Sequence, residues 1–295
     1  MSFLAKMGWR APALLDGALG TMLFQGGLEP GKSTITMNLE RPELVLEVHQ
    51  RYIEAGSQAI SANTFGGNIR ALESAGLESR ERDYNIAGMR LCREAAAGGR
   101  VKVAGDMGPT GDFHREFDER RIAGIYIRQA ELMMECPPDF FLIETMFDVR
   151  EALTALKAVK MIAGDIPVAV SMTFNRTRRG FFTVMGDPAA DSFKKLEAEG
   201  ADAVGSNCTL TPEGMLELYW NFRSAVEVPV IIQPNAGQPE LIEGDVVYRM
   251  EAAEFAEGLF LLAQEGAEIV GGCCGSTPEM ISLARERLSK LRHHE

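Results

Sequence analysis

The chain has 295 residues, 46% of them hydrophobic, and 30 lysines and arginines against 42 aspartates and glutamates give it a formal charge of −12. That length fits two average domains or one large barrel, and the negative charge argues against nucleic acid and anionic membrane as partners. The opening Met1-Ser2-Phe3-Leu4-Ala5-Lys6 lacks the apolar centre of a signal peptide, and no apolar run approaches the roughly 18 residues of a membrane span. A cytoplasmic protein is expected. Its five cysteines, odd in number and dispersed, suit a reducing compartment with free or metal-bound thiols.

Taken in order, short apolar or β-branched runs recur, each ending in a polar or glycine residue. They are Ala13–Leu15 before Asp16; Ala59–Ser61 before Asn63; Val101–Ala104 before Asp106; Phe140–Ile143 before Glu144; Val168–Ser171 before Thr173; Ala203–Gly205 before Cys208; Val230–Ile232 before Asn235; and Ile269–Val270 before Cys273. Each reads as a short buried parallel strand. The stretches between them have helical period and punctuation: Pro42 to Ala55, Glu78 to Ala97, Arg120 to Glu135, Val149 to Ala163, Pro188 to Glu199, Thr211 to Ala225, Asp245 to Gln264 and Thr277 to Leu291. Their acidic sides read as solvated faces. His49, on the first of these helices, and His293 and His294 in the tail are expected to be solvated. Met107, Met146, Met172 and Met185 near the strand ends read as core filling, with a soft rim for a docking partner as the alternative.

Strict βα alternation over eight units, with right-handed crossovers, closes into a (β/α)8 TIM barrel; an open doubly wound sheet is the alternative. The barrel places every polar strand end on the one face where such folds build active sites. The Gly/Pro-rich segments Gln25 to Lys32 and Ala236 to Gly244 then become mouth loops, and residues 1–295 form one domain.

Gly271-Gly272-Cys273-Cys274-Gly275 puts two adjacent cysteines among three glycines. Neighbours on a strand face opposite ways, so both thiols reach one ion only where the backbone bends, which glycine permits. Cys208, ending the sixth strand in Gly205-Ser206-Asn207-Cys208, is brought near them by the barrel and supplies a third sulfur. Three thiolates with one open position suit a catalytic Zn²⁺. Unrelated buried cysteines or a strained vicinal disulfide are the alternatives.

With these motifs in place, the chain resembles the zinc-dependent homocysteine S-methyltransferase family, especially the homocysteine-binding barrel of cobalamin-dependent methionine synthase. The resemblance is carried by Asp16-Gly17-Ala18-Leu19-Gly20-Thr21, Ala62-Asn63-Thr64-Phe65, Asp106-Met107-Gly108-Pro109-Thr110-Gly111, Glu144-Thr145, Ser171-Met172-Thr173-Phe174, Gly205-Ser206-Asn207-Cys208, Gln233-Pro234-Asn235-Ala236-Gly237 and the Cys273-Cys274 segment. It implies zinc on Cys208, Cys273 and Cys274, with Asn235 in the fourth position when substrate is absent. It also implies homocysteine as substrate, its ammonium held by Asp16 and Glu144. The backbone N–H groups of Gly20 and Thr21 are placed to receive the substrate carboxylate, and Asn63 and Thr64 to orient the surrounding shell. Capping is the alternative for Asp16 and Glu144.

The methyl donor is expected from outside, because no folate, cobalamin or reactivation module follows the eighth helix. Asp112-Phe113-His114-Arg115-Glu116-Phe117 approximates the Asp-x-His-x-x-Gly signature of corrinoid-binding modules but has Phe117 in place of glycine, so His114 is not expected to bind a corrinoid. The leading expectation is methylation of homocysteine to methionine with a methyl-corrinoid supplied by a partner protein. The alternatives are a small onium donor such as S-methylmethionine or betaine, a corrinoid methyltransferase subunit acting on another methylated substrate, and a non-catalytic homocysteine- or zinc-binding subunit.

Overall fold

The computed structural model describes residues 1–29, 31–111, 117–242 and 245–291. Eight parallel strands carry the fold: β1 (Ala13–Leu14), β2 (Ala59–Ser61), β3 (Lys102–Met107), β4 (Phe140–Met146), β5 (Val168–Met172), β6 (Ala203–Asn207), β7 (Val230–Gln233) and β8 (Ile269–Val270). They pair in sequence from β2 through β8, and β8 pairs back onto β1. Between β1 and β2 the gap is spanned by the Gln58 N–H, which donates to the Leu14 carbonyl at 2.6 Å. The architecture is a (β/α)8 TIM barrel.

The enclosing helices are α1 (Pro42–Ala55), α2 (Glu81–Ala95), α3 (Glu119–Met133), α4 (Val149–Ala163), α5 (Ala189–Ala198), α6 (Pro212–Phe222), α7 (Ala252–Gln264) and α8 (Pro278–Ser289). Local chemistry sets their starts. The side chains of Thr211 and Thr277 accept from the N–H groups of Gly214 and Met280, and a proline follows each cap in the first turn. Leu, Val, Ala and Phe from the inner faces of these helices pack on the outward-facing strand residues to form the main core.

A second, smaller core fills the barrel itself. Ala59, Ala104, Phe140, Leu142, Ala169, Ala203, Ile231 and Ile269 meet there, sealed from below by Phe3, Met7 and Trp9 of the N-terminal segment. Phe3 and Trp9 meet the Phe140 ring edge to face, with centroids 5.3 and 6.1 Å away. Because side chains alternate along a strand, residues two positions beyond this apolar layer face inward again, nearer the mouth. These are Ser61, Asp106, Glu144, Ser171, Gly205, Gln233 and Gly271. The inside of the barrel thus changes from apolar to polar over one step of the strand.

Four expectations are corrected. No helix begins at Asp245: residues Glu240–Ile242 and Asp245–Val247 form an antiparallel hairpin, and α7 starts at Ala252 after Glu251. The β-branched pair Val246-Val247 favours the strand. The helix expected from Glu78 opens as a 3₁₀ turn, Glu78–Arg80, before α2. His49 is fully buried, with neither ring nitrogen hydrogen-bonded, and burial lowers its pKa to about 4. Met107, Met146 and Met172 are core residues, but Met185 stands exposed beside Val184. A second hairpin, Asn175–Thr177 with Gly180–Phe182, follows β5 unannounced by the sequence pattern. His114 and the signature-like segment 112–116, like His293 and His294, lie outside the described residues. Among the described residues no helix is long and apolar enough to cross a membrane.

Candidate metal and substrate site

At the mouth end of the strands the three cysteines converge. The Sγ of Cys208 lies 2.9 Å from that of Cys273 and 3.4 Å from that of Cys274, and all three sulfurs lie within 4.8 Å of one another. All five cysteines are free thiols, so the adjacent pair is not a vicinal disulfide. Cys92 is buried against the barrel wall and Cys136 lies past the end of α3; neither joins the group.

The last residue of β7 and those after it knit the three together. The Gln233 carbonyl accepts from the Cys208 N–H at 3.2 Å and the Pro234 carbonyl from the Cys273 N–H at 2.8 Å, while the Ala236 N–H donates to the Cys274 carbonyl at 2.9 Å. Cys208 and Thr209 take positive φ of 60° and 57°, a conformation rare for residues with a side chain. Gly275, at φ 81°, could not be replaced: an added Cβ would sit 2.3 Å from the Tyr248 ring.

The thiols share their protons unequally. Hydrogen bonds from Cys208 and then Cys273, reinforced by the Tyr248 hydroxyl, hold Cys274 far below the usual thiol value. Hydrogen bonding to Cys208 and Cys274, then burial, pushes Cys273 up. A soft divalent ion would stabilise all three as thiolates. The donor set fits zinc. The Asn235 side-chain oxygen is buried with no hydrogen-bond partner.

A cavity of ≈ 360 Å³ opens beside the sulfurs. It is lined by the Asp16–Thr21 segment, Asp106, Glu144, Thr145, Asn63, Phe65 and the three cysteines, and among the described residues no lysine, arginine or histidine lines it. Asp16 is buried; its carboxylate accepts from the Ser61 N–H at 2.7 Å and the Ser61 hydroxyl at 3.3 Å. Burial raises its pKa to about 7 against those hydrogen bonds. Glu144 rises to about 8, through burial and then the charges of Asp16 and Cys274. Glu144 belongs to β4 rather than following it, at an irregularity in the ladder where Thr145 takes φ 60°.

Gly20 and Thr21 open the helix Leu19–Gln25, which has no side-chain cap. The Thr21 hydroxyl accepts from the Gly275 N–H at 3.0 Å, and Gly272 N–H donates to the Asp16 carbonyl at 2.8 Å, so this segment is fastened to the cysteine turn. Asn63 lines the cavity, but its amide N–H₂ is committed to the Thr34 carbonyl and to Asn38 Oδ1, both at 2.8 Å. Thr64 is fully buried and donates to the Asp106 carbonyl at 2.8 Å. Sequence reasoning missed Asn207 and Tyr248. Asn207 precedes a cysteine inside a recognised motif, a usable signal; Tyr248 lies in a misassigned segment and had none.

A family model described as homocysteine S-methyltransferase matches residues 13–288. The chain belongs to this family. Within it, the chain is 31% identical over 288 residues to methionine synthase of Mycobacterium leprae, a match covering 90% of this chain and 23% of that protein. Against methionine synthase of Mycobacterium tuberculosis it is 30% identical over 302 residues, covering 95% and 25%. The chain therefore spans about a quarter of the length of the curated relatives it matches. Its fold matches the homocysteine methyltransferase MmuM of Escherichia coli in the metallated form, with a TM-score of 0.81 at 22% identity over 96% of this chain and 98% of that one. The oxidized form of the same protein gives a TM-score of 0.79.

Proposed function

We propose that residues 1–295 act as one homocysteine-binding barrel domain that methylates the substrate sulfur to give methionine. The observation that carries this is the convergence of three half-buried cysteine sulfurs on a cavity lined by buried carboxylates, with no cationic side chain among its described lining residues. Cys208, Cys273 and Cys274 would hold Zn²⁺, with the unpaired oxygen of Asn235 available as a fourth donor when substrate is absent. When bound, zinc supplies a Lewis acid that favours the thiolate form of the substrate sulfur.

The chain's own residues do the rest. Three protein thiolates make the site net negative, which keeps a substrate sulfur electron-rich. Asp16 and Glu144, whose pKa values burial raises in the cavity, hold the substrate ammonium as carboxylates, its positive charge favouring their ionised form. Backbone N–H groups of Gly20 and Thr21 take the substrate carboxylate, and Asn63 and Thr64 fix the surrounding backbone through their bonds to Asn38 and Asp106. The sulfur attacks the methyl carbon in line, the donor leaves with the bonding electrons, and the thiol proton departs to solvent.

The donor in this reading is a methyl-corrinoid held by a partner protein or domain. Its support is the methionine-synthase relatives and the motif segments around Asn235 and Asp106. A corrin ring is too broad to enter a barrel, and the half-buried sulfurs at the mouth suit a donor that stays outside. The acidic cavity favours a second donor class, a small cationic onium compound, because its charge would be welcome among the carboxylates. Purified zinc-loaded chain with homocysteine and free methylcobalamin is expected to form methionine slowly, and Cys273→Ala to abolish it. Ready turnover of S-methylmethionine or betaine with none of methylcobalamin would overturn the corrinoid assignment.

A further inference from the structure

A third carboxylate shares the cavity and has no role in the binding scheme. Asp106 sits near the end of β3, two positions beyond the inward-facing Ala104, and lines the same cavity as Asp16 and Glu144. It is 6% exposed, and its Oδ1 has no hydrogen-bond partner. This differs from Asp16, both of whose oxygens are engaged by Ser61. A buried carboxylate oxygen without a donor costs free energy, so an N–H donor brought to it by a ligand would be stabilised there. The backbone beneath Asp106 is held rigidly: the Thr64 hydroxyl donates to its carbonyl, and Phe65 packs directly over Gly108. The backbone that carries the carboxylate is therefore preorganised.

We propose that Asp106 is a further binding residue for the substrate ammonium, completing with Asp16 and Glu144 a three-carboxylate cradle that selects an amino-acid thiol over a thiol lacking the amine. An ammonium group has three N–H donors in a compact tripod, and three carboxylates from β3, β4 and the segment after β1 offer one acceptor to each. Cationic side chains are absent from the described cavity lining, so none there competes for the free oxygen. Burial, then the charges of Glu144 and Asp16, pushes the Asp106 carboxyl well above its ordinary value. An incoming ammonium favours its charged form. The inference rests on the proposed homocysteine reading, and its test separates the two.

Binding is measured by calorimetry on zinc-loaded wild type, Asp106→Asn and Asp106→Ser with two ligands: homocysteine and 4-mercaptobutanoate, which keeps the thiol and carboxylate but lacks the amine. The expected result is that both variants retain zinc and bind homocysteine at least about tenfold more weakly. Their affinity for 4-mercaptobutanoate should be unchanged, since that thiol has no ammonium for Asp106 to hold. Undiminished homocysteine affinity in both variants would overturn the role of Asp106. So would an equal loss for both ligands, which would assign Asp106 to cavity architecture. If wild type binds neither thiol, the proposed function itself fails, and Asp106 falls with it.

Discussion

Thr145 and Asn207 hold each other by two reciprocal hydrogen bonds. The Thr145 N–H donates to Asn207 Oδ1 at 2.9 Å, and Asn207 Nδ2 donates to Thr145 Oγ1 at 2.7 Å. Their strands are not neighbours; β5 lies between, and its Ser171 hydroxyl joins the same Oδ1 at 2.7 Å. One residue before Thr145 is Glu144, and one after Asn207 is Cys208, so this pair fixes a carboxylate relative to a sulfur. Asn207 Nδ2 also approaches Cys273 Sγ at 3.7 Å. Asn207→Ala should lower stability by about 1–3 kcal/mol through the donors and acceptors it strands. It should also weaken zinc binding about 10–100-fold, as loss of an outer-shell partner does. Competition with a chromophoric chelator reads the second effect, and zinc affinity equal to wild type would confine Asn207 to stability.

One zinc per chain is expected after purification and dialysis. Serine in place of Cys208, Cys273 or Cys274 should remove most of it, because a hydroxyl is a far poorer soft-metal donor than a thiolate. Cys92→Ser and Cys136→Ser should leave the metal content unchanged. Elemental analysis checks all five, and full retention in Cys208→Ser would sink the three-sulfur assignment.

Glu144→Gln keeps the shape of the side chain and removes its charge. Homocysteine should bind more weakly by ~2–5 kcal/mol, the cost of taking one partner from a desolvated charge pair. Calorimetry on zinc-loaded protein reads it. Affinity matching wild type would leave Glu144 a structural residue.

The same variant should reshape the pH dependence of stability. With Glu144 raised to about 8 and Asp16 to about 7, the folded protein keeps protons that the unfolded chain releases near pH 4. Stability from these groups is complete below roughly pH 4 and is lost as pH rises through about 7 to 8. The amide introduced by Glu144→Gln cannot ionise. On metal-free protein without substrate, the Tm of the variant relative to wild type should therefore be higher at about pH 9 than at about pH 5.5. A difference that does not change with pH would mean that the Glu144 charge is well solvated.

Gly205 marks the tightest strand contact. A Cβ there would lie 2.0 Å from the Ile231 carbonyl oxygen, a backbone atom in the adjacent β7 that cannot move aside cheaply. Gly205→Ala should cost about 3 kcal/mol or more through overpacking. Gly124→Ala, on α3 with nothing within 4 Å of the new methyl, should instead stabilise by about 0.5–1 kcal/mol. Thermal unfolding of the two variants side by side tests the contrast.

The barrel was legible because its signal is repetitive and local. Apolar runs such as Phe140 to Ile143 and Val168 to Ser171 announce buried strands, and Thr211-Pro212 and Thr277-Pro278 announce helix starts. Cys273 and Cys274 were legible through their glycines, and Cys208 through its place in the repeat. What the pattern hid depends on contacts far apart in sequence. His49 carries the look of a surface residue on an amphipathic helix, yet the packing of α1 buries it. The segment 245–251 reads as helix because Asp245 resembles a start signal, while its pairing partner at 240–242 is a tertiary fact. Asp106 was visible as a strand-end polar residue, but its unpaired oxygen is not something a sequence displays.

Phe3, Met7 and Trp9 close the lower end of the barrel against Phe140, which gives the cavity a floor. A molecule seated among the carboxylates has no second exit through that floor, and a bulky methyl donor resting on the mouth would stand in the doorway. Under the proposed function traffic would then be single file: the amino-acid thiol would enter before the donor docks, and the methylated product would leave only after the spent donor has withdrawn. Steady-state kinetics should obey a compulsory order, with product inhibition that is competitive against the thiol and not against the donor.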